Sequence, residues 1–187
     1  INLSENKEIK IFLEEQTLFE LNTRNKKINA VRRIKEFCKR VDVSTKEEVL
    51  SSLENQTGIK PKSSSTENYQ MMNWNELKSL NNDALFTIGG HTLYHDIMSA
   101  HVDEEKMFKD IELSIGLLEF NLNEKITHFS YPEGQENHYN QKVIDKLKDS
   151  GVVCSPSAIH GLNNHNNDLF NLYRIMPGFM GTPFPYD

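Results

Sequence analysis

The sequence predicts a mixed α/β fold, a partial (β/α) barrel preceded by an N-terminal helical segment. Three observations lead there. Residues 3–56 place apolar side chains at three-to-four spacing among charges, with no Pro or Gly before Gly58. From residue 71 onward, helical patterns alternate with short apolar runs, the texture of βα units on a parallel sheet. About eight strands close a (β/α) barrel, and the runs present supply roughly half of them.

The elements follow in order. In IKIFLEEQTLFELN, Ile11, Phe12, Leu18, Phe19 and Leu21 stand among acids, and the segment is read as helical. Ile28, Val31, Ile34, Phe37, Cys38 and Val41 make one apolar helical face. Ser44 with Glu47 forms a capping-box pattern ahead of Val49, Leu50 and Leu53. Residues 58–68, with Pro61 and three consecutive serines, read as a linker and divide the chain into a helical insertion with linker (1–66) and the barrel portion (67–187). Asn73 with Glu76 predicts a capped helix burying Trp74, Leu77 and Leu80. ALFTIGG (84–90) reads as a buried strand, 103–122 as a long amphipathic helix striped by Met107, Ile111, Ile115, Leu118 and Leu122, and ITHFSYPEG (126–134) as a strand ending in a turn. Residues 140–151 form a helix with Gly151 at its C′ position, and VVCSP and LFNLYRIM (169–176) are strands.

Composition narrows the function. The chain has 187 residues, 37% hydrophobic and 26% charged, enough for a packed core. Its 21 basic and 27 acidic residues give a net charge of −6, a poor match to nucleic-acid backbones. No run of about 18 apolar residues is present, so no membrane span is expected. No signal peptide is visible, and the chain starts at Ile1, so it is read as a piece of a longer or processed protein whose compartment, bacterial cytoplasm or cell envelope, stays open. Cys38 and Cys154 stand far apart, more in the manner of small hydrophobes than of a disulfide.

Chemistry concentrates in Gly89-Gly90-His91-Thr92-Leu93-Tyr94-His95-Asp96. Two histidines four apart follow an apolar run directly. On a helical turn both rings share a face and reach one ion. Strand ends are where parallel α/β proteins build sites, and neutral imidazole is a ligand for zinc and related ions. The plainer reading is a pair of solvated surface rings. Two histidines do not complete a zinc site, which takes about three protein ligands and a water. The second signal is Phe129-Ser130-Tyr131-Pro132-Glu133-Gly134 at another strand end. It is either an ordinary Pro/Gly turn or a loop offering a backbone N–H to an anionic transition state.

Together IGGHTLYHDIMS, an acid-rich helix, ITHFSYPEGQENHYN, VIDKLKDSGVVCSPS and FNLYRIMPG resemble the polysaccharide deacetylase family, the nodulation-protein-B homology domain of carbohydrate esterase family 4. The resemblance spans residues 71–178. It implies a distorted (β/α) barrel with one divalent ion, usually zinc, held by two histidines and an aspartate. His91 and His95 match the histidine ligands, and Thr92 the small hydroxyl residue that shapes their turn and adjoins substrate. The backbone of Tyr131–Glu133 matches the oxyanion donor, with Tyr131 and Pro132 on the groove floor. The implied reaction removes an N-acetyl group from an amino sugar of a polysaccharide or saccharide precursor.

The departures are specific. The family's apolar strand ending in Asp-Asp, source of the third ligand and the general base, has no counterpart, since Asp42 and Asp83 lack its context. The resemblance therefore places the base and the aspartate ligand outside this chain. Ser130 stands where the family has Arg, and Glu133 where Tyr is usual. The late family histidine has no clear match, and His101, His128, His138, His160 and His165 read as surface groups. Two functions stay open. One is the C-terminal part of a metal-dependent deacetylase, and the other is a catalytically inactive relative that binds saccharide or protein. The helical segment either packs on the barrel or forms a lid or dimer contact.

Overall fold

The computed structural model describes residues 1–60, 70–99 and 103–176. The chain divides into two units, Ile1–Met71 and Met72–Asp187. The linker expected over 58–68 lies, beyond Lys60, outside the described residues, as does His101.

The first unit opens with a hairpin instead of the expected helix. Strand β1 (Glu8–Phe12) pairs antiparallel with β2 (Gln16–Glu20), Glu8 opposite Glu20 and Phe12 opposite Gln16. The reason is a period of two that helical spacing obscured. Ile9 and Ile11 point inward while Glu8, Lys10 and Phe12 point out, and Phe19 and Leu21 repeat the alternation. Helix α1 (Arg24–Cys38) starts at Thr23, whose hydroxyl accepts from the Lys26 N–H. Helix α2 (Val43–Thr57) is capped by Asp42 rather than by Ser44, the carboxylate accepting from the Thr45 N–H at 3.0 Å. It ends at Gly58, which takes the left-handed φ of +68°. The Gln56 side chain then serves the edge of β1 as a short substitute strand. Its Oε1 accepts from the Lys10 N–H at 2.8 Å and its Nε2 donates to the Lys10 carbonyl at 2.6 Å. Ile9, Ile11, Phe19, Leu21, Ala30, Ile34, Phe37 and Val49 form this unit's core.

In the second unit α3 (Trp74–Asn81) begins with the expected capping box between Asn73 and Glu76. It buries no residue, and Trp74 stays 43% exposed. The run 84–90 does not form the expected buried strand. Asp83 draws it into a turn, its side chain accepting from the Leu85 N–H and its carbonyl from the Phe86 N–H. Leu85 and Phe86 are exposed, and only Gly90 joins a sheet partner.

Gly90 bridges Phe129 and His128 bridges Cys154, both parallel. The chain after Cys154 continues into β3 (Pro156–His160), which pairs parallel with β4 (Leu172–Arg174). Parallel pairing is thus as expected, although the sheet does not close among the described residues. Helix α4 (Glu104–Leu122), capped by Asp103, buries Met107, Ile111 and Ile115 of the expected stripe. Helix α5 (Gln141–Asp149) starts at Asn140 and buries Val143, Ile144 and Leu147. It stops at Gly151, whose φ is +87°. Lys142 reaches Glu104 at 2.5 Å and Lys146 pairs with Glu112, pinning α5 to α4 at the surface. Met98, Ile111, Phe129, Tyr131, Val143 and Leu147 centre the core beneath the sheet. No described helix is long and apolar enough to cross a membrane.

Ile111 is fully buried, so Ile111→Ala is expected to destabilise the second unit by about 2–5 kcal/mol in urea denaturation. Leu113→Ala, at a half-exposed position on the same helix, is expected to cost less than about 1 kcal/mol.

Candidate active site

The site is built where the sheet stops. The Gly90 N–H donates to the His128 carbonyl, and the Ser130 N–H donates to the Gly90 carbonyl, each at 2.9 Å. A Cβ at residue 90 would lie 2.6 Å from the Phe129 ring, so only glycine lets that ring cross the strand. His91 is the next residue and emerges at the rim.

The expected helical turn from His91 to His95 is not what joins the two rings. Thr92 and His95 take left-handed φ values of +60° and +56°, which no helix contains. The Thr92 hydroxyl accepts from the His95 N–H at 3.0 Å and closes a tight loop. The imidazoles are adjacent all the same, with ring centroids 4.8 Å apart and planes at 74°.

His91 is oriented by the second motif. Its Nδ1 lies 2.6 Å from the Ser130 carbonyl. A carbonyl only accepts, so Nδ1 carries the proton and Nε2 keeps its lone pair. Burial pushes the His91 pKa below its ordinary value, and the His95 and Arg174 charges add to this against the bond to Ser130. A neutral ring with Nδ1 tied to a backbone carbonyl is the usual preparation of a metal ligand. The donor set of this pair therefore fits a divalent ion. Among the described residues, no group of three His, Cys, Asp or Glu side chains gathers to hold one.

Asp110 of α4 is a residue that the sequence reading missed. Its carboxylate accepts from the Leu93 N–H at 2.7 Å and straps the histidine loop to the helix. Burial raises its pKa, opposed by that bond and reinforced by Asp96. A signal was available, since Asp110 lies three residues after Met107 and beside Ile111, on the buried flank of the helix.

Tyr131 and Pro132 do not lie open on a groove floor. Tyr131 is 1% exposed, its hydroxyl donates to the Phe170 carbonyl at 2.9 Å, and its ring stacks on Tyr139 with centroids 3.7 Å apart. The reason is strand alternation. Phe129 and Tyr131 share the inward face, while Ser130 sits between them on the other. Burial holds the Tyr131 phenol protonated, with a pKa far above the ordinary value. Glu133 and Gly134 follow with φ of +58° and +57°, and the Gly134 N–H turns back to the Pro132 carbonyl. The Gly134 carbonyl accepts from the Ala158 N–H at 2.7 Å, and the Gln135 side chain donates to the Ala158 carbonyl at 2.8 Å. This loop is thereby locked to β3.

The other candidates fall elsewhere. Asp42 is a helix cap, and Asp83 holds a turn. His160 and His138 accept backbone N–H groups from Met176 and Gln135, and His128 meets the Thr127 hydroxyl.

The polysaccharide deacetylase family profile matches residues 44–154. The chain belongs to the polysaccharide deacetylase family, whose match takes in α2 as well as both rim motifs. Among solved structures, it is similar to a Streptococcus pyogenes deacetylase, PplD in complex with acetate, at 17% identity and a TM-score of 0.51. That similarity covers 58% of this chain and 46% of that one. It is also similar to IcaB from Ammonifex degensii, at 17% identity and a TM-score of 0.50, over 72% of this chain and 63% of that one. Both likenesses concern the fold, and the chain spans less than two thirds of either structure. No curated protein matches it.

Gly134→Ala is expected to unfold the rim loop locally. The substitution adds a side chain at positive φ, and its Cβ would meet the Ala158 nitrogen at 2.8 Å. A loss of about 1–3 kcal/mol in thermal or urea unfolding, with faster amide exchange at Ala158, is the expected outcome.

Proposed function

We propose that this chain forms the C-terminal part of a metal-dependent amino-sugar N-deacetylase, on a partial (β/α) barrel to which residues 1–66, with the β1–β2 hairpin and helices α1 and α2, are an insertion. The carrying observation is the pairing of His91 and His95 at the sheet rim, with His91 fixed by the Ser130 carbonyl. Family membership supports the hydrolytic class.

On this reading His91 and His95 are two of the ligands of one divalent ion, zinc by family habit. The third ligand, an aspartate, and the general base come from outside this chain. Such an ion, when bound, polarises an acetamide carbonyl and acidifies a water. The chain's own residues do the rest. The tight turn closed by Thr92 presents the second ring beside the first, and Thr92 adjoins the substrate. The backbone between Tyr131 and Glu133 faces the oxygen that gains charge as water adds to the acetyl carbon. Tyr131 and Pro132 support that backbone from beneath as a rigid floor. The C–N bond then breaks, the sugar nitrogen takes a proton, and acetate and a free amine leave.

Acetate release from N-acetylglucosamine oligomers by the complete encoded protein tests this. His91→Ala and His95→Ala are expected to lower kcat/KM by about 10²-fold or more with circular dichroism unchanged, and a chelator is expected to abolish release. Release that survives chelation, or that neither substitution changes, would defeat the reading.

A further inference from the structure

The first unit holds a cleft that the rim site does not use. Its volume is about 560 Å³, within the usual range for small-molecule sites. The packing explains why it exists. Helix α1 lies on β2 and α2 lies on β1, so each helix is held by its own strand. The gap between their apolar flanks stays open, walled by Ile1 and Leu3, by Val31 and Ile34 of α1, and by Leu50 and Leu53 of α2. Leu50 is 55% exposed, so apolar surface is left facing water.

The charge in the cleft has one sign. Lys35 of α1 and Lys46 of α2 stand among the lining residues, and none of those residues is acidic. This is notable in a chain with 27 acidic and 21 basic residues. The Lys46 charge also acts on Cys38, another lining residue, opposing the upward push that burial gives its thiol. Apolar walls whose charged side chains are both lysines, beside the neutral Asn2, complement a molecule that is apolar along its length and anionic at its head.

We infer that this cleft binds a free single-chain amphiphile, an aliphatic tail lying against Ile34, Leu50 and Leu53 with an anionic head group in the field of Lys35 and Lys46. The inference rests on nothing at the sheet rim. Burial of the tail adds up to about fourfold in affinity per methylene until the cleft is full. The head adds selectivity over a neutral analogue of the same length.

Calorimetric titration of the whole chain with decanoate tests this. The expected result is saturable one-to-one binding, with octanoate weaker by about tenfold and decanol also weaker than decanoate. Lys35→Gln with Lys46→Gln is expected to weaken decanoate at least fivefold and leave decanol unchanged. Leu50→Asp is expected to abolish binding of both ligands. Affinity independent of chain length, or equal decanoate affinity in the double lysine variant, would overturn the inference. So would a dimer in sedimentation that Leu50→Asp dissolves and decanoate does not, since the cleft would then be covered by a second copy. Co-sedimentation with phosphatidylglycerol vesicles in place of decanoate would make it a membrane surface and overturn it equally.

Discussion

Parallel pairing across Gly90, Phe129 and Cys154 is the constraint on which the site depends. Gly90 exchanges two backbone hydrogen bonds with residues 128 and 130, and the Phe129 N–H donates in turn to the Cys154 carbonyl. This register decides which residue is the last one held by the sheet on each strand, and hence that His91 and Ser130 emerge side by side. A slip of one residue would turn Phe129 outward and Ser130 inward, separating the Ser130 carbonyl from the His91 ring. The missing Cβ of Gly90 is part of the same device, because the Phe129 ring occupies its place. A small residue on one strand and a large one on the next thus help set the direction of the His91 imidazole.

Above the sheet the backbone is forced into unusual shapes. Thr92, His95, Glu133 and Gly134 all have positive φ, and three of the four are not glycine. Such residues cost roughly 1 kcal/mol or more each and persist only where the surroundings hold them. Here the holders can be named. The Asp110 carboxylate accepts from the Leu93 N–H, Met98 is buried just after the histidine loop, and the Ala158 N–H donates to the Gly134 carbonyl. Below them Tyr131 stacks on Tyr139 and reaches Phe170 through its hydroxyl. Tyr131 thus braces the loop from beneath, its hydroxyl committed to the Phe170 carbonyl and its ring to Tyr139.

What could be read from the sequence alone follows from how local each signal was. Helices α4 and α5 were legible because cap, stripe and stop all lie within one segment, as in Asn140, Val143, Leu147 and Gly151. The histidine pair was legible as a pair, but its geometry was not. An i,i+4 spacing suggests a helix, whereas two left-handed residues and a threonine hydroxyl produced the same proximity in a loop. The hairpin at the start was misread because Leu18-Phe19 and Ile11-Phe12 place two apolar residues in a row, which mimics helical spacing. Only pairing between the strands shows that one of each couple faces water. The Asp83 turn within an apolar run and the Asp110 strap were hidden for the same reason. Each depends on a polar side chain finding a backbone N–H, and Asp110 finds one 17 residues away.

The His91–Ser130 bond also bears on how a two-histidine site gains from a further ligand. A free imidazole loses ring rotation and tautomer choice when it binds an ion, and the ion must supply that ordering energy. Here the fold has already ordered the ring. Nδ1 is committed to a carbonyl at 2.6 Å, and the neighbouring ring stands 4.8 Å away. On the proposed reading, a carboxylate arriving from elsewhere meets a first ring that is already oriented, so less of its Coulomb attraction to the ion is spent on ordering. That attraction also explains why the pair by itself is an incomplete centre. Imidazole ligands bring no negative charge to offset the ion's, and a catalytic zinc ordinarily takes three protein ligands and keeps one position for water. On that reading the sheet register prepares the less expensive part of the site, and the anionic ligand governs how tightly it closes.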